Sequence, residues 1–298
     1  MRIEQLPVER DKLGESAFWD HRIGALYWLD HLGPRVRRYT PQTGDLAEWL
    51  LPKTGGCAGL TTDVTRLVIA LADSFALLDL ETGECREIAP VPQPRAAVRL
   101  SDGRCDRWGG FVAGSAVTDF AGPDGAIYRL NPDFTVDILK TDIMLSNSIC
   151  FPADGKHMHF ADTRSGIVMI CDYAADGPLP GEPSPFADAR DHGASPDGAT
   201  VDADGGLWVA QIRTGEIVRF GPDGSLCIKF PMPVPHATSL CFGGPDLDIL
   251  YVTTVRETGM KIKTDHPQAG GVFAVHDLGF TGVQEAVFNL GGAAVKVV

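Results

Sequence analysis

The stretch that decides the fold is PDGATVDADGGLWVAQ, residues 196–211. It has a polar start, a short apolar segment, a turn that contains Asp-Gly, and a second apolar segment. Two apolar segments joined by a turn rich in Gly and Asp are typical of an antiparallel β-hairpin, because these residues adopt the backbone angles that a tight turn requires. The stretch therefore predicts two adjacent β-strands.

Five further copies of this pattern occur along the chain. They are GESAFWDHRIGALYWLD (14–30), GCAGLTTDVTRLVIALAD (56–73), LSDGRCDRWGGFVAGS (100–115), SNSICFPADGKHMHFADT (146–163) and TSLCFGGPDLDILYVTT (238–254). Equivalent positions in the second segments are 42, 42, 47, 49 and 43 residues apart; they are Trp28, Ala70, Val112, His159, Trp208 and Tyr251. A period of about 45 residues with several strands per unit is the signature of a propeller blade.

Each copy is followed by two more predicted strands, which completes a four-stranded blade. Examples are Val36–Tyr39 with Leu46–Leu51, Phe75–Leu80 with Cys85–Ile88, Ala126–Leu130 with Val136–Lys140, and Gly215–Phe220 with Leu226–Phe230. No long segment has a 3.6-residue apolar period, so we expect very little helix. The sequence predicts an all-β, six-bladed β-propeller that occupies residues 1–298 as one domain.

The ends and the insertions complete this picture. Arg2–Leu6 is expected to complete the last blade and close the ring, which removes exposed strand edges. Three loops carry insertions and are expected to form the rim of a pocket: 118–125, 174–196 and 256–271. The tail after Gly282 is not assigned to a blade.

The composition narrows the class of protein. Acidic residues number 39 and basic residues 26, so the net charge is −13. This charge argues against a general binder of nucleic acid or of anionic membranes, which needs a basic surface. No apolar run approaches the ~20 residues that a membrane-spanning helix requires, and residues 1–15 show no apolar segment of a secretory signal.

The seven cysteines are scattered and form no C-x-x-C pair. They are typical of buried thiols in a reducing compartment, and we expect a cytoplasmic protein. The chain also lacks G-x-G-x-x-G, P-loop, H-E-x-x-H and G-x-S-x-G motifs, so nucleotide, zincin and α/β-hydrolase chemistry have no support. His192 is expected to be an exposed loop histidine.

Three polar residues occupy matched positions at the start of the first strand of their copies. Glu15, Asn147 and Asp197 lie 13, 12 and 11 residues before the second-strand positions of their blades. Since the first strand of each blade lines the central channel, equal offsets place these side chains at one height in that channel. Two carboxylates and an amide oxygen suit a divalent cation. Polar residues at strand starts also cap turns, and Asp197-Gly198 taken alone is typical of a turn.

Several motifs along the chain resemble those of the SMP-30/gluconolactonase/regucalcin-like family. The landmarks are LGESAFWD, LSDGRCDRWGGFVAGS, LSNSICFPADGKHMHFADT, SPDGATVDADGGLWVA and TSLCFGGPDLDILYVTT, together with PQAGGVFAV near the C-terminus. The resemblance covers about residues 8–276. It implies a six-bladed propeller that holds one divalent metal ion and hydrolyses sugar lactones. The ion is expected to be Ca, Mg, Mn, Zn or Fe(II).

The resemblance also implies roles for individual residues. The metal ligands of the family fall on Glu15, Asn147 and Asp197, and its substrate contacts fall on Arg99 and on Asp119, where glutamate is common. The Asn of the family's R-x-N-D-G segment is Ser101 here, which is shorter and could reach a water or a sugar hydroxyl. The Gly that follows the family's asparagine is Ser148 in this chain. These departures leave the identity of the sugar open.

The predicted reaction is attack of water on the lactone carbonyl carbon. The metal polarises the carbonyl oxygen, Asp197 is the candidate general base, and Arg99 binds substrate hydroxyls or the ring oxygen. The expected partner is a small sugar lactone, with no nucleic acid and no membrane, and the protein is expected to be a monomer or a small homo-oligomer. Two alternatives stay open: a non-catalytic propeller that binds calcium or a sugar, and a metal-dependent esterase or phosphotriesterase.

Overall fold

The computed structural model describes residues 1–190 and 195–291 of the chain. In this part of the chain the elements are β-strands in six sheets, and no α-helix is present. The same residues contain no helix that is both long and apolar enough to span a bilayer. The prediction of an all-β, six-bladed β-propeller is confirmed.

The first three blades follow one another along the chain. Strand β1 (Arg2–Gln5) precedes them. Blade one consists of β2 (Gly14–Asp20), β3 (Ala25–Asp30), β4 (Arg35–Thr40) and β5 (Asp45–Leu50). Blade two consists of β6 (Gly55–Thr61), β7 (Arg66–Leu71), β8 (Ser74–Asp79) and β9 (Cys85–Pro90). Blade three consists of β10 (Val98–Cys105), β11 (Phe111–Val117), β12 (Gly125–Leu130) and β13 (Val136–Ile143).

The other three blades complete the ring. Blade four consists of β14 (Ser146–Cys150), β15 (His157–Asp162), β16 (Ile167–Asp172) and β17 (Ser184–Asp188). Blade five consists of β18 (Pro196–Val201), β19 (Leu207–Gln211), β20 (Glu216–Phe220) and β21 (Leu226–Pro231). Blade six consists of β22 (Ala237–Gly243), β23 (Ile249–Thr254), β24 (Phe273–His276) and the N-terminal β1. The last strand, β25 (Val287–Phe288), joins blade two.

The blades pack face to face, and each interface holds an apolar cluster. Six such clusters lie between neighbouring blades. Trp19 stacks on Tyr251 with ring centroids 5.6 Å apart, which joins blade one to blade six. Trp28 and Trp208 are fully buried, and each indole N–H donates to a buried aspartate. Each blade therefore contributes apolar side chains to the interfaces with both of its neighbours.

Two segments outside the regular repeat close the structure. As predicted, β1 pairs antiparallel with β24, so the N-terminal strand completes blade six. Residues 283–291 lie across the channel mouth opposite the predicted site: β25 pairs in parallel with β6, and Glu285 forms a 2.6 Å ion pair with Arg104 of β10. The tail therefore contacts several blades at once.

One predicted loop contains a strand. The segment 174–196 was expected to be an insertion, but it includes β17, which pairs with β16 as the outer strand of blade four. Pro185 lies at a register shift of this pairing, where a missing N–H is tolerated because the strand is at the sheet edge. His192 lies outside the described residues.

Candidate active site

The first strands of the six blades surround the channel axis, and each is bulged. Register shifts interrupt the pairing of the first and second strands after Glu15, after Asn147 and across Pro196–Ala199. A bulge places two residues of one strand opposite one residue of its neighbour and redirects the side chain beside it. The bulges therefore turn the predicted ligand side chains away from the sheet and towards the channel.

The residues that follow two of these side chains have an unusual backbone. Ser16 and Ser148 have φ angles of 51° and 56°, in the left-handed region that favours glycine. Their hydroxyl groups compensate by bonding to the next blade: Ala58 N–H donates to Ser16 Oγ at 3.0 Å, and Ser148 Oγ donates to the Asp197 carbonyl oxygen at 2.5 Å. The bulges are thus held by contacts between blades.

A cavity at this mouth of the channel brings the predicted residues together. Its lining includes the predicted residues Glu15, Asn147, Asp197, Arg99 and Ser101. Side chains that are far apart in sequence, from blades one, three, four and five, therefore meet in one small chamber.

The orientation of the Asn147 amide is determined by a buried threonine. Asn147 Nδ2 donates to Thr163 Oγ1 at 2.7 Å, and Thr163 Oγ1 donates to the Pro196 carbonyl oxygen at 2.8 Å. Because the amide nitrogen is engaged by Thr163, the amide oxygen Oδ1 is the atom available to a ligand. Thr163 itself lines the cavity. It follows β15 immediately, so it reaches the site from the second strand of its blade.

Three carboxyl groups crowd this cavity. Burial, and then the neighbouring charge of Asp102, raise the pKa of Glu15 to about 8, although the charge of Arg99 opposes both. Burial, and then the charges of Glu15 and Asp102, raise the pKa of Asp197 well above its usual value. Burial likewise raises the pKa of Asp102 to about 6, although the Ile149 N–H donates to its Oδ2 at 2.8 Å. In the absence of a cation, these groups hold protons more readily than ordinary carboxyl groups do.

This donor set fits a divalent cation. Two carboxylates and one amide oxygen are hard oxygen ligands, and a bound cation would stabilise the charged forms of carboxyl groups that burial, and then mutual repulsion, otherwise keep protonated. Among the described residues, no group of three or more His, Cys, Asp or Glu side chains is placed to hold a metal. The predicted set is not of this kind, because its third ligand is the amide oxygen of Asn147.

The structure does not bring Asp119 to the cavity. Its side chain is 45% exposed and forms an ion pair with Arg95, and the Ala121 N–H donates to its Oδ1 at 3.1 Å. Asp119 is not among the lining residues. Because Arg95 holds the carboxylate at the rim, the assignment of Asp119 as a substrate contact finds no support in this geometry and stays a prediction.

Arg99 and Ser101 both line the cavity from β10. Burial lowers the pKa of Arg99 to about 10, and the charge of Glu15 partly opposes this. The guanidinium group is nevertheless charged near neutral pH and is the one cationic side chain among the lining residues of the described structure. Sequence reasoning missed His31 and Thr163 as lining residues. His31 and Thr163 lie at the ends of second strands. These ends face the same mouth as the starts of first strands, so the position of a polar residue at the end of a second strand would have predicted both.

The comparisons with known proteins agree with this architecture. Residues 13–256 match the SMP-30/Gluconolactonase/LRE-like region. The chain is 38% identical to L-arabinolactonase of Azospirillum brasilense, over 89% of this chain and 88% of that protein. It is 33% identical to 6-deoxy-6-sulfogluconolactonase of Pseudomonas putida, over 88% of this chain and 90% of that protein.

A solved structure shows the same fold. The calcium-binding protein regucalcin of Agrobacterium tumefaciens superposes with a TM-score of 0.88 at 27% identity, covering 95% of this chain and 96% of that one. With a family match over most of the blades and relatives above 30% identity across nearly their full length, the resemblance read from the sequence is confirmed. The chain belongs to the SMP-30/gluconolactonase/LRE-like family.

Proposed function

We propose that this protein is a metal-dependent sugar lactonase that opens an aldono-1,4- or 1,5-lactone to the aldonic acid. The observation that carries the proposal is the meeting of Glu15, Asn147 and Asp197 beside Arg99 in one cavity. The relatives named L-arabinolactonase and 6-deoxy-6-sulfogluconolactonase support the substrate class. A third relative, pentonolactonase XacC of Haloferax volcanii, is 32% identical over 83% of each chain.

The proposed ligands of the metal are Glu15, Asn147 and Asp197. A bound divalent cation would act as a Lewis acid on the lactone carbonyl. Two anionic ligands leave such a site close to neutral overall. Thr163 keeps the Asn147 amide oxygen directed to its ligand through the 2.7 Å hydrogen bond from Nδ2.

The protein side chains then have distinct parts in the hydrolysis. Water adds to the carbonyl carbon, and an oxygen of the Asp197 carboxylate accepts one of its protons. The ring C–O bond breaks, and the proton passes to the oxygen that leaves, which becomes a hydroxyl of the aldonic acid. Arg99 donates to substrate oxygens and holds the ring in place, and the Ser101 hydroxyl bonds to a substrate hydroxyl or to a water.

The test is an assay of acid release with the metal removed and then restored. Chelation should abolish opening of five- and six-carbon aldonolactones, and one or more of Ca²⁺, Mg²⁺, Mn²⁺, Zn²⁺ and Fe²⁺ should restore it. The variant Asp197→Asn should be inactive with any ion. The matched control is Asp106→Asn, since Asp106 is equally buried but accepts from Tyr173 at the opposite mouth; the folded fraction of this variant should keep the wild-type kcat. Full activity after chelation contradicts the metal-dependent mechanism.

A second candidate function is binding of calcium without catalysis. It is favoured by the regucalcin structure, which is described as a calcium-binding protein, and by Ser101 at a position where the family carries asparagine. Calcium binding measured by calorimetry, with no turnover of any lactone in the panel, would favour this candidate. Including a phosphotriester in the same panel tests the remaining alternative, because the proposed site could also polarise a P=O group.

We propose further that residues 1–298 act as one domain in the cytoplasm, as a monomer or small homo-oligomer. The ion pair between Glu285 and Arg104, which joins the C-terminal tail to blade three, supports the single-domain part of this proposal. A single cooperative unfolding transition by calorimetry is the expected result, and two separate transitions would contradict it.

A further inference from the structure

His31 is a buried polar residue of the cavity for which the proposed mechanism has no use. It follows the last residue of β3, lines the cavity and is only 2% exposed. Its ring nitrogen Nε2 is buried and has no hydrogen-bond partner among the described residues. Buried polar atoms in folded proteins are almost always paired. Since His31 lines the cavity, a ligand bound there is placed to supply the partner of Nε2.

The surroundings of the ring determine what that partner must supply. The ring forms a hydrogen bond with the Gly55 backbone, while burial and then the positive charge of Arg99 hold its pKa well below the usual 6.5. The imidazole is therefore neutral near pH 7. A neutral imidazole has one N–H donor and one acceptor nitrogen, and a bond to a backbone carbonyl engages the donor. The free nitrogen is then an acceptor.

We propose that His31 is a specificity-determining residue: its Nε2 accepts a hydrogen bond from a hydroxyl group of the sugar lactone, while the adjacent Arg99 donates to the oxygens of the substrate. This inference rests on the proposed lactonase function. A sugar hydroxyl is both a donor and an acceptor, so the pair of His31 and Arg99 matches it in a way that neither residue does alone.

The consequence is selection for hydroxylated lactones. A lactone that lacks the hydroxyl leaves Nε2 unpaired or dependent on a trapped water, and a site built to bond a hydroxyl discriminates against an analogue without it. Arg99 alone would not discriminate in this way, because it also donates to ring and carbonyl oxygens. His31 therefore separates aldonolactones from simple alkyl lactones.

The test compares substrates as well as variants. The metal-loaded protein is assayed with the aldonolactone that it opens fastest and with the 2-deoxy and 3-deoxy counterparts of that lactone. His31→Ile should lower kcat/KM for the parent lactone about 10-fold, mainly through KM, and change the rate for one deoxy counterpart less than about twofold. His31→Gln, which can place a polar atom near the position of Nε2, should recover part of the loss.

His159 provides a matched control. It is also a buried histidine with an unpartnered ring nitrogen, but it packs against Phe186 in blade four, with ring centroids 4.5 Å apart, and does not line the cavity. His159→Gln should leave kcat/KM unchanged for every substrate. Thermal unfolding of all variants shows whether each one folds.

Three outcomes would overturn the inference. If His31→Ile lowers kcat/KM equally for the parent and both deoxy lactones, or for none of them, His31 does not read a hydroxyl. If the variant loses affinity for the cation, His31 belongs to the metal site instead. If the wild-type protein opens no lactone at all, the proposed lactonase function is wrong. This result is distinguishable from a failure of the His31 inference because it is obtained before any variant is compared.

Discussion

Replacing Thr163 by valine tests whether the amide orientation of Asn147 creates the metal site. Valine keeps the shape of threonine and removes only the hydroxyl group. That hydroxyl accepts from Asn147 Nδ2 at 2.7 Å and donates to the Pro196 carbonyl oxygen at 2.8 Å, both in the buried interior. The substitution therefore leaves the volume of the cavity nearly unchanged and frees the amide to rotate.

The size of the effect follows from these two bonds. Each buried group left without a partner costs about 1–3 kcal/mol, so the loss of both bonds should lower the unfolding free energy by about 2–6 kcal/mol. Loss of a group that orients a metal ligand typically lowers metal affinity about 10- to 100-fold. Since one factor of ten equals about 1.4 kcal/mol, the expected loss in cation binding is about 1.4–2.8 kcal/mol.

The assay is calorimetric titration of the cation that restores activity, together with kcat/KM at saturating cation. A control removes a similar hydroxyl at the opposite mouth: Thr61 is fully buried, and its Oγ1 donates to the Asp63 carbonyl oxygen at 2.8 Å. Thr61→Val should lose stability but retain cation affinity. Wild-type affinity in Thr163→Val, or equal losses in both variants, would refute the reasoning.

Further predictions concern the carboxyl groups and the opposite mouth. Glu15→Gln should lower kcat/KM by roughly 100-fold or more even at saturating cation, since it removes an anionic ligand; a variant that keeps wild-type kcat/KM would exclude Glu15 from the site. The raised pKa values of Asp102, about 6, and Glu15, about 8, mean that the folded metal-free protein binds protons more tightly than the unfolded chain does. This contribution to stability is complete below about pH 4 and is lost as the pH rises through about 6 to 8. Urea denaturation should therefore show that the metal-free protein is less stable at pH 8.5 than at pH 5. Saturating cation should reduce this difference. Equal stability at both pH values would contradict it. Glu285→Gln removes the ion-pair partner of the mostly buried Arg104 and should lower the unfolding free energy by about 3 kcal/mol. The value of kcat/KM should stay within twofold of wild type. A large loss of activity would show that a change at this mouth affects the site at the other one.

The fold was predictable because its signal repeats. Six hairpins at a nearly constant period leave few architectures, and the strands observed differ from the predicted ones by only a few residues at their ends. Strand β17, which contains Pro185, was missed because an edge strand needs little apolar patterning. The tail was missed because its contacts, such as the parallel pairing of Val287 with Leu60, depend on residues distant in sequence.

The candidate site was predictable only in part. Matched offsets were enough to bring Glu15, Asn147 and Asp197 into one cavity. They gave no information on His31 and Thr163, which reach the same cavity from the ends of second strands. The position of Asp119 depends on its ion pair with Arg95. No local sequence pattern predicts that Arg95 lies close to it.

The serines beside the proposed ligands connect the site to the packing of the blades. Ser16 and Ser148 hold a left-handed backbone that costs a non-glycine residue on the order of 1 kcal/mol, and their hydrogen bonds to Ala58 and Asp197 offset this cost. Glycine at position 148 would relieve the strain and remove the bond to the next blade. The same contacts thus orient the ligands and join the blades, so loosening of one interface at this mouth should disturb several ligands together. At the other mouth the joining is done by Glu285 and Arg104, which in the described part of the chain share no hydrogen bond with the proposed ligands. We therefore expect that stability can change there with little change in the chemistry.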